Sequence, residues 1–213
     1  MRKRSLLGRL EVVAVGDHTL QTPSWSVTVQ MTQRDLHAQL REQSEATRDQ
    51  LTAILRPLNS AQLNEHPEPK GWSVAEVIEH LCVSEEAYSD QFKATVRAAR
   101  PDAGAAARVW HPTFLGKMIA GSLEKPRPLK APKMFQPSNT PRNGAAEALL
   151  SMEHAFVKSI DDAASLDWNK VKMGTPVFPD WMPKMMNLGD AFRIHVVHVS
   201  RHARQIARLA GKI

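Results

Sequence analysis

An internal disulfide is excluded at the outset, because Cys82 is the only cysteine in the chain. A lone thiol is what a reducing compartment permits, and a cytoplasmic location is the expectation that fits it. Long hydrophobic runs are missing too. No uninterrupted apolar stretch approaches the roughly 20 residues of a membrane helix, so a soluble chain is expected. Alternating apolar and polar runs, internal repeats and low-complexity segments are also lacking, which excludes strand-rich and solenoid folds. Nor is there a convincing export signal. Arg2, Lys3 and Arg4 open like one, but Arg9, Glu11, Gly16 and Asp17 interrupt any apolar centre, and no small-residue cleavage site follows.

What remains suits one globular core: 42% hydrophobic and 23% charged residues over 213 positions, a length that requires no second domain. The formal charge of +6 raises the question of nucleic acid, since phosphates select clustered Lys and Arg. The distribution argues against it. The excess lies in Arg2, Lys3, Arg4 and Arg9 and in a connection with Lys117, Lys125, Arg127, Lys130, Lys133 and Arg142. Solvated basic loops explain that pattern more simply, so nucleic acid is not an expected partner.

Periodicity predicts four long helices. Thr32 and Asp35 have N-cap and N3 spacing, with Met31 and Leu36 placed as a hydrophobic staple. The folded domain is therefore expected over 31–213, with 1–30 as a poorly ordered tail. Leu36, Leu40, Ala46, Leu51, Ile54, Leu55 and Leu58 form the stripe of the first helix. Ser73 and Glu76 cap the second, whose stripe runs through Val77, Leu81, Tyr88, Phe92 and Val96 until Pro101. Seven prolines between Pro101 and Pro141 leave room only for a short helix near 114–123, hence a long crossover between helices two and three. The third helix is expected over about 144–164, with Leu149, Met152, Phe156 and Ile160 inward. The fourth runs from a cap at Asn187 and Asp190 to about Leu209. The expected fold class is all-α, a four-helix bundle with its site between facing helices.

That last helix carries His195, His198 and His202. The latter two lie one turn apart on one face, so their rings can converge on an ion. Chance alone, with nine histidines, gives about 0.4 such pairs per chain. Position adds weight, because Leu188, Ala191, His195, His198, His202 and Leu209 share an inward stripe where leucines are the norm. Buried imidazoles need partners. A carbonyl or carboxylate serves as well as a metal, and periodicity leaves the choice between His195 and His198 open. His154 is a further candidate, with an exposed position beside Glu153 as its plain alternative. Glu76, Glu79 and Glu85 read as surface carboxylates that could instead orient ligands. Cys82 falls on a different face from His80 and reads as an inert buried thiol. Trp168, Trp181, Met182, Met185 and Met186 read as a cap on the bundle or the wall of an apolar pocket.

Two segments together, Gly71-Trp72-Ser73-Val74-Ala75-Glu76-Val77-Ile78-Glu79-His80-Leu81 and His198-Val199-Ser200-Arg201-His202-Ala203-Arg204-Gln205-Ile206, resemble the DinB-like superfamily of four-helix proteins. The resemblance covers about residues 32–211 and implies that His80, His198 and His202 bind one divalent metal (Zn, Ni, Mn or Fe), with His195 behind them. No polymerase activity follows from the name. Three imidazoles leave a coordination position open, the pattern of a catalytic site. The family further implies metal-dependent transferases that use low-molecular-weight thiols. The expected function is a metal-dependent thiol S-transferase or hydrolase acting on a small electrophilic molecule. The alternative is a non-enzymatic, stress-related metal or small-molecule binding module. A small-molecule substrate is the expected partner, and a homodimer is compatible with the sequence.

Overall fold

Helix starts in this chain are written in its capping residues. A computed structural model describes residues 30–138, 141–178, 181 and 183–213. The expected tail, apart from Gln30, lies outside the described residues, as does Met182. At the first start, the Asp35 amide donates to Thr32 Oγ1 at 3.2 Å and the Thr32 amide to Asp35 Oδ2 at 3.1 Å. This opens α1 (Gln33–Leu55). The same reciprocal box at Ser73 and Glu76 opens α3 (Val74–Ala98), and at Asn187 and Asp190 it opens α6 (Leu188–Ala210). Each such cap contributes about 1 kcal/mol and, more usefully, sets where the helix begins.

The third long helix, α5 (Ala145–Asp162), starts differently. Its N-cap Gly144 is left-handed, with φ of +67°, a conformation that favours glycine. The crossover carries the expected short helix as α4 (Phe114–Glu124), capped by Thr113. One helix was not expected: α2 (Ser60–Asn64), which an Asn59–Gln62 box starts after α1 has ended at Leu55. The described residues are thus mainly helical, with six α-helices: the four long ones and the short crossover helix that were expected, and α2. Strand is confined to β1 (Lys172–Met173) pairing antiparallel with β2 (Met186–Asn187). The long helices touch in a cycle, α1 on α5 and α6, and α3 on the same two.

The core is split in two. One apolar cluster gathers Leu36, Leu40, Phe92, Phe156, Trp168 and Phe192; the other gathers Leu51, Val77, Leu81, Leu149, Val199 and Ile206. Between them every long helix contributes buried polar side chains: Ser44 and Thr47 from α1, Ser84 and Glu85 from α3, Glu153 from α5, and His195 from α6. Ala46, expected on the inward stripe, is exposed, and its neighbour Thr47 faces in and meets Ser200 Oγ at 3.1 Å. Each fully buried leucine contributes about 1.5–3 kcal/mol. The polar belt contributes no comparable transfer energy and must be satisfied internally.

Gly116 lets the crossover approach α6. A Cβ at Gly116 would lie 2.2 Å from the Asp190 carboxylate, which the amides of Thr113 and Asn187 hold in place. Gly121, one turn on in α4, has nothing within 4 Å. Gly116→Ala should therefore cost about 1–3 kcal/mol by overpacking. Gly121→Ala should add about 0.5–1 kcal/mol through helix propensity. Calorimetric melting should show shifts of opposite sign, and equal shifts would mean that α4 does not dock on Asp190.

Candidate metal centre

Helices α3 and α6 carry the candidate ligands on facing sides. His80 sits in the second turn of α3, inside a stretch in which Val77, Ile78, Leu81 and Cys82 are all buried. His198 and His202 project from α6 one turn apart. The three rings cluster with centroids 4.7–5.2 Å apart. Each offers a nitrogen within 4.8 Å of the others. The histidines from the two ends of the sequence pattern thus do come together.

Hydrogen bonds orient two of them. His80 Nδ1 donates to the Phe135 carbonyl at 2.6 Å, since a carbonyl only accepts, which leaves Nε2 as a lone pair. His202 Nδ1 pairs with Gln205 Oε1 at 2.9 Å, freeing its Nε2 likewise. His198 Nε2 stands 3.1 Å from His80 Nε2 and must carry the proton between them. With the His198 proton moved to Nδ1, a cation at the centre would meet three lone pairs of neutral rings. Electrostatics favour the neutral forms. Burial, reinforced by His80 and opposed by Gln205, pushes His202 down to about 3. Burial and then His202 and His80 hold His198 well below the imidazole range, and burial lowers His80 despite Phe135. These residues fit a divalent ion.

The cluster opens on a cleft of about 2290 Å³ that includes Tyr88, Met186, Ile194 and Arg204 in its wall. Arg201 clamps the crossover beside it, donating to the carbonyls of Leu123 at 3.0 Å, Lys125 at 2.8 Å and Arg127. Tyr88 Oη meets Thr175 Oγ1 at 2.6 Å on the far side. Arg204 is partly buried and has no hydrogen bond or ion pair among the described residues.

Several expectations need correction. His195 makes no hydrogen bond to the three rings; its Nδ1 meets Glu85 Oε1 at 2.9 Å and its Nε2 lies 3.5 Å from Glu153 Oε1. Glu79 and Glu85 are not surface carboxylates: both are buried, Glu79 held by Arg142 at 2.9 Å. Arg142 therefore belongs to an ion-pair network with Glu79 and Glu86, not to a solvated loop. His154 is exposed and its neighbour Glu153 is buried. Trp168 fills the core, Trp181 and Met185 are exposed, and among the described residues of that group only Met186 lines the cleft. Cys82 is buried as expected, and burial pushes its thiol up to about 12. Phe135 and Gln205 went unread. A backbone carbonyl leaves no mark in sequence, whereas Gln205 stands three residues after His202, a spacing that could have flagged it.

No helix among the described residues is long and apolar enough to cross a membrane. Comparison with curated proteins and with solved structures returned no match. The family comparison did, over residues 43–206, a span that holds His80, His198 and His202 and most of the helices that position them, and by it the chain belongs to the DinB superfamily.

Proposed function

We propose that His80, His198 and His202 hold one divalent metal ion in a bundle of the four long helices, and that the protein is a metal-dependent thiol S-transferase or hydrolase of the cytoplasm acting on a small electrophilic molecule. The observation that carries this reading is the convergence of three neutral imidazoles beside an open cleft. A closed structural site would surround its ion with protein donors; three leave room for another molecule. Such an ion would supply Lewis-acid activation of water or of a thiol. The chain's own residues do the rest. Phe135 O and Gln205 fix the ring planes of His80 and His202, as partners behind metal ligands commonly do. Arg201 keeps the crossover, and with it Phe135, against α6. Arg204 offers a cation to an anionic group of a bound molecule.

Binding of the ion to the folded state alone should add about 2.7 kcal/mol at a hundredfold excess over its Kd. Chelator should then lower the Tm of the unmodified protein reversibly, and His202→Ala should abolish the response. Equal responses from both proteins would remove His202 from the ligand set. Elemental analysis of untagged protein identifies the ion. Turnover with thiol cofactors supports the enzyme, while binding without turnover would leave a binding module.

The metal-free protein has its own pH dependence. His202 is held down to about 3 against an ordinary value near 6.5. Below the ordinary value the unfolded chain takes a proton that the folded chain refuses. Stability should therefore fall as pH drops from about 6.5 towards 3, by at most about 1.4 kcal/mol per pH unit for each such group. Melting curves of metal-free protein at pH 7 and pH 5 should show a smaller loss for His202→Gln than for the unmodified chain. Parallel losses would mean that His202 is protonated in the folded state.

A further inference from the structure

We propose that Glu85, Glu153 and His195 form a second divalent-cation site, separate from the three-histidine cluster. The residues come from α3, α5 and α6, and each offers a ligand atom within 4.8 Å of the others. All are buried, with relative exposures of 8% for Glu85, 1% for Glu153 and 7% for His195. Burying two carboxylates is expensive unless charge of the opposite sign is close. The guanidinium of Arg142 is engaged by Glu79 and Glu86. Among the described residues, His195 is the one cationic group that forms an ion pair with Glu85 or Glu153.

The pairing is incomplete. His195 Nδ1 reaches Glu85 at 2.9 Å, but Nε2 and Glu153 Oε1 stand 3.5 Å apart, and neither of those two buried atoms makes a hydrogen bond. Unsatisfied groups of this kind are rare in native cores, and an ion is one of the standard explanations for them. The ring cannot turn away, because Phe156 stacks on its face with planes 13° apart and is itself packed on Phe92 and Phe192. Glu85 and His195 border the cleft, which gives an ion a way in.

Charge counting points the same way. Two carboxylates with a neutral imidazole carry −2, which one divalent cation cancels. Without the ion, the cluster is left to bind protons. Burial alone would lower His195, but Glu85 and then Glu153 outweigh it and raise the imidazole to about 10. Burial also raises Glu153, against the pull of His195. Entry of one ion would thus expel up to two protons, one from each of these groups, and conserve charge. Two oxygens and one nitrogen make a harder donor set than three imidazoles, one suited to Mn(II).

The test is a stoichiometry. Metal-free full-length chain is equilibrated with Mn²⁺ or with Zn²⁺, freed of excess by gel filtration and analysed for metal. Two ions per chain are expected with at least one of the probes. Glu153→Gln should lose one ion and keep the other, whereas His198→Ala should lose the other and keep this one. No more than one ion per chain in the unmodified protein with both probes overturns the proposal, as does an unchanged count in Glu153→Gln. Should Glu153→Gln fail to fold by circular dichroism, Glu85→Gln takes its place with the same expected count. Loss of metal in His198→Ala alone would uphold the three-histidine reading and refute this one; loss in Glu153→Gln alone would do the reverse.

Discussion

The belt of polar side chains that cuts the core in two governs the rest of the structure. Leu40 belongs to one apolar cluster and Leu51 to the other, with Ser44 and Thr47 buried between them. On α5, Glu153 separates Leu149 from Phe156 in the same way. Apolar layers tolerate sliding, because one leucine can replace another against a neighbouring helix. A buried carboxylate or imidazole cannot be shifted by a turn without losing its partner, at a cost of about 1–3 kcal/mol for each group left unsatisfied. The belt therefore fixes the relative heights of α1, α3, α5 and α6 more firmly than the leucines do, and it brings His80 level with His198.

The long crossover contributes more than a connection. Its Phe135 carbonyl decides which nitrogen of His80 is free, and its carbonyls at Leu123, Lys125 and Arg127 are gathered by Arg201, one residue before His202. One turn of α6 thus presents a candidate ligand to the centre and holds the segment that orients the opposing ligand. Proline suits that segment, since it limits the conformations lost when an extended stretch is pinned on a helix.

Local signals were the legible ones. The boxes at Thr32, Ser73 and Asn187 involve residues three apart, and so they could be read without knowledge of the fold. The same holds for His198 and His202, whose spacing is a property of one helix. His80 required the family resemblance, because nothing local ties it to residues 118 positions away. The buried carboxylates were illegible for a physical reason: Glu79, Glu85 and Glu153 look like ordinary helix-surface residues until their partners Arg142 and His195 arrive from elsewhere in the chain. Ala46 and Thr47 mislead in the opposite sense, since hydropathy alone points the apolar residue inward, whereas the hydroxyl of Thr47 meets Ser200 inside the bundle.

His195 and His198 show how far surroundings outweigh residue type. They stand less than one turn apart on α6, and burial penalises the charged form of both. His195 faces Glu85 and Glu153, and their charge overcomes the penalty and holds a proton on the ring. His198 faces only other imidazoles and Arg201, so every neighbour adds to the penalty and its ring stays neutral. Carboxylates on α3 and α5 therefore divide the inward stripe of α6 into a part that holds protons and a part that offers lone pairs. The helix itself supplies no such distinction. It follows that the candidate ligand set depends on where acidic side chains are absent as much as on where histidines are present.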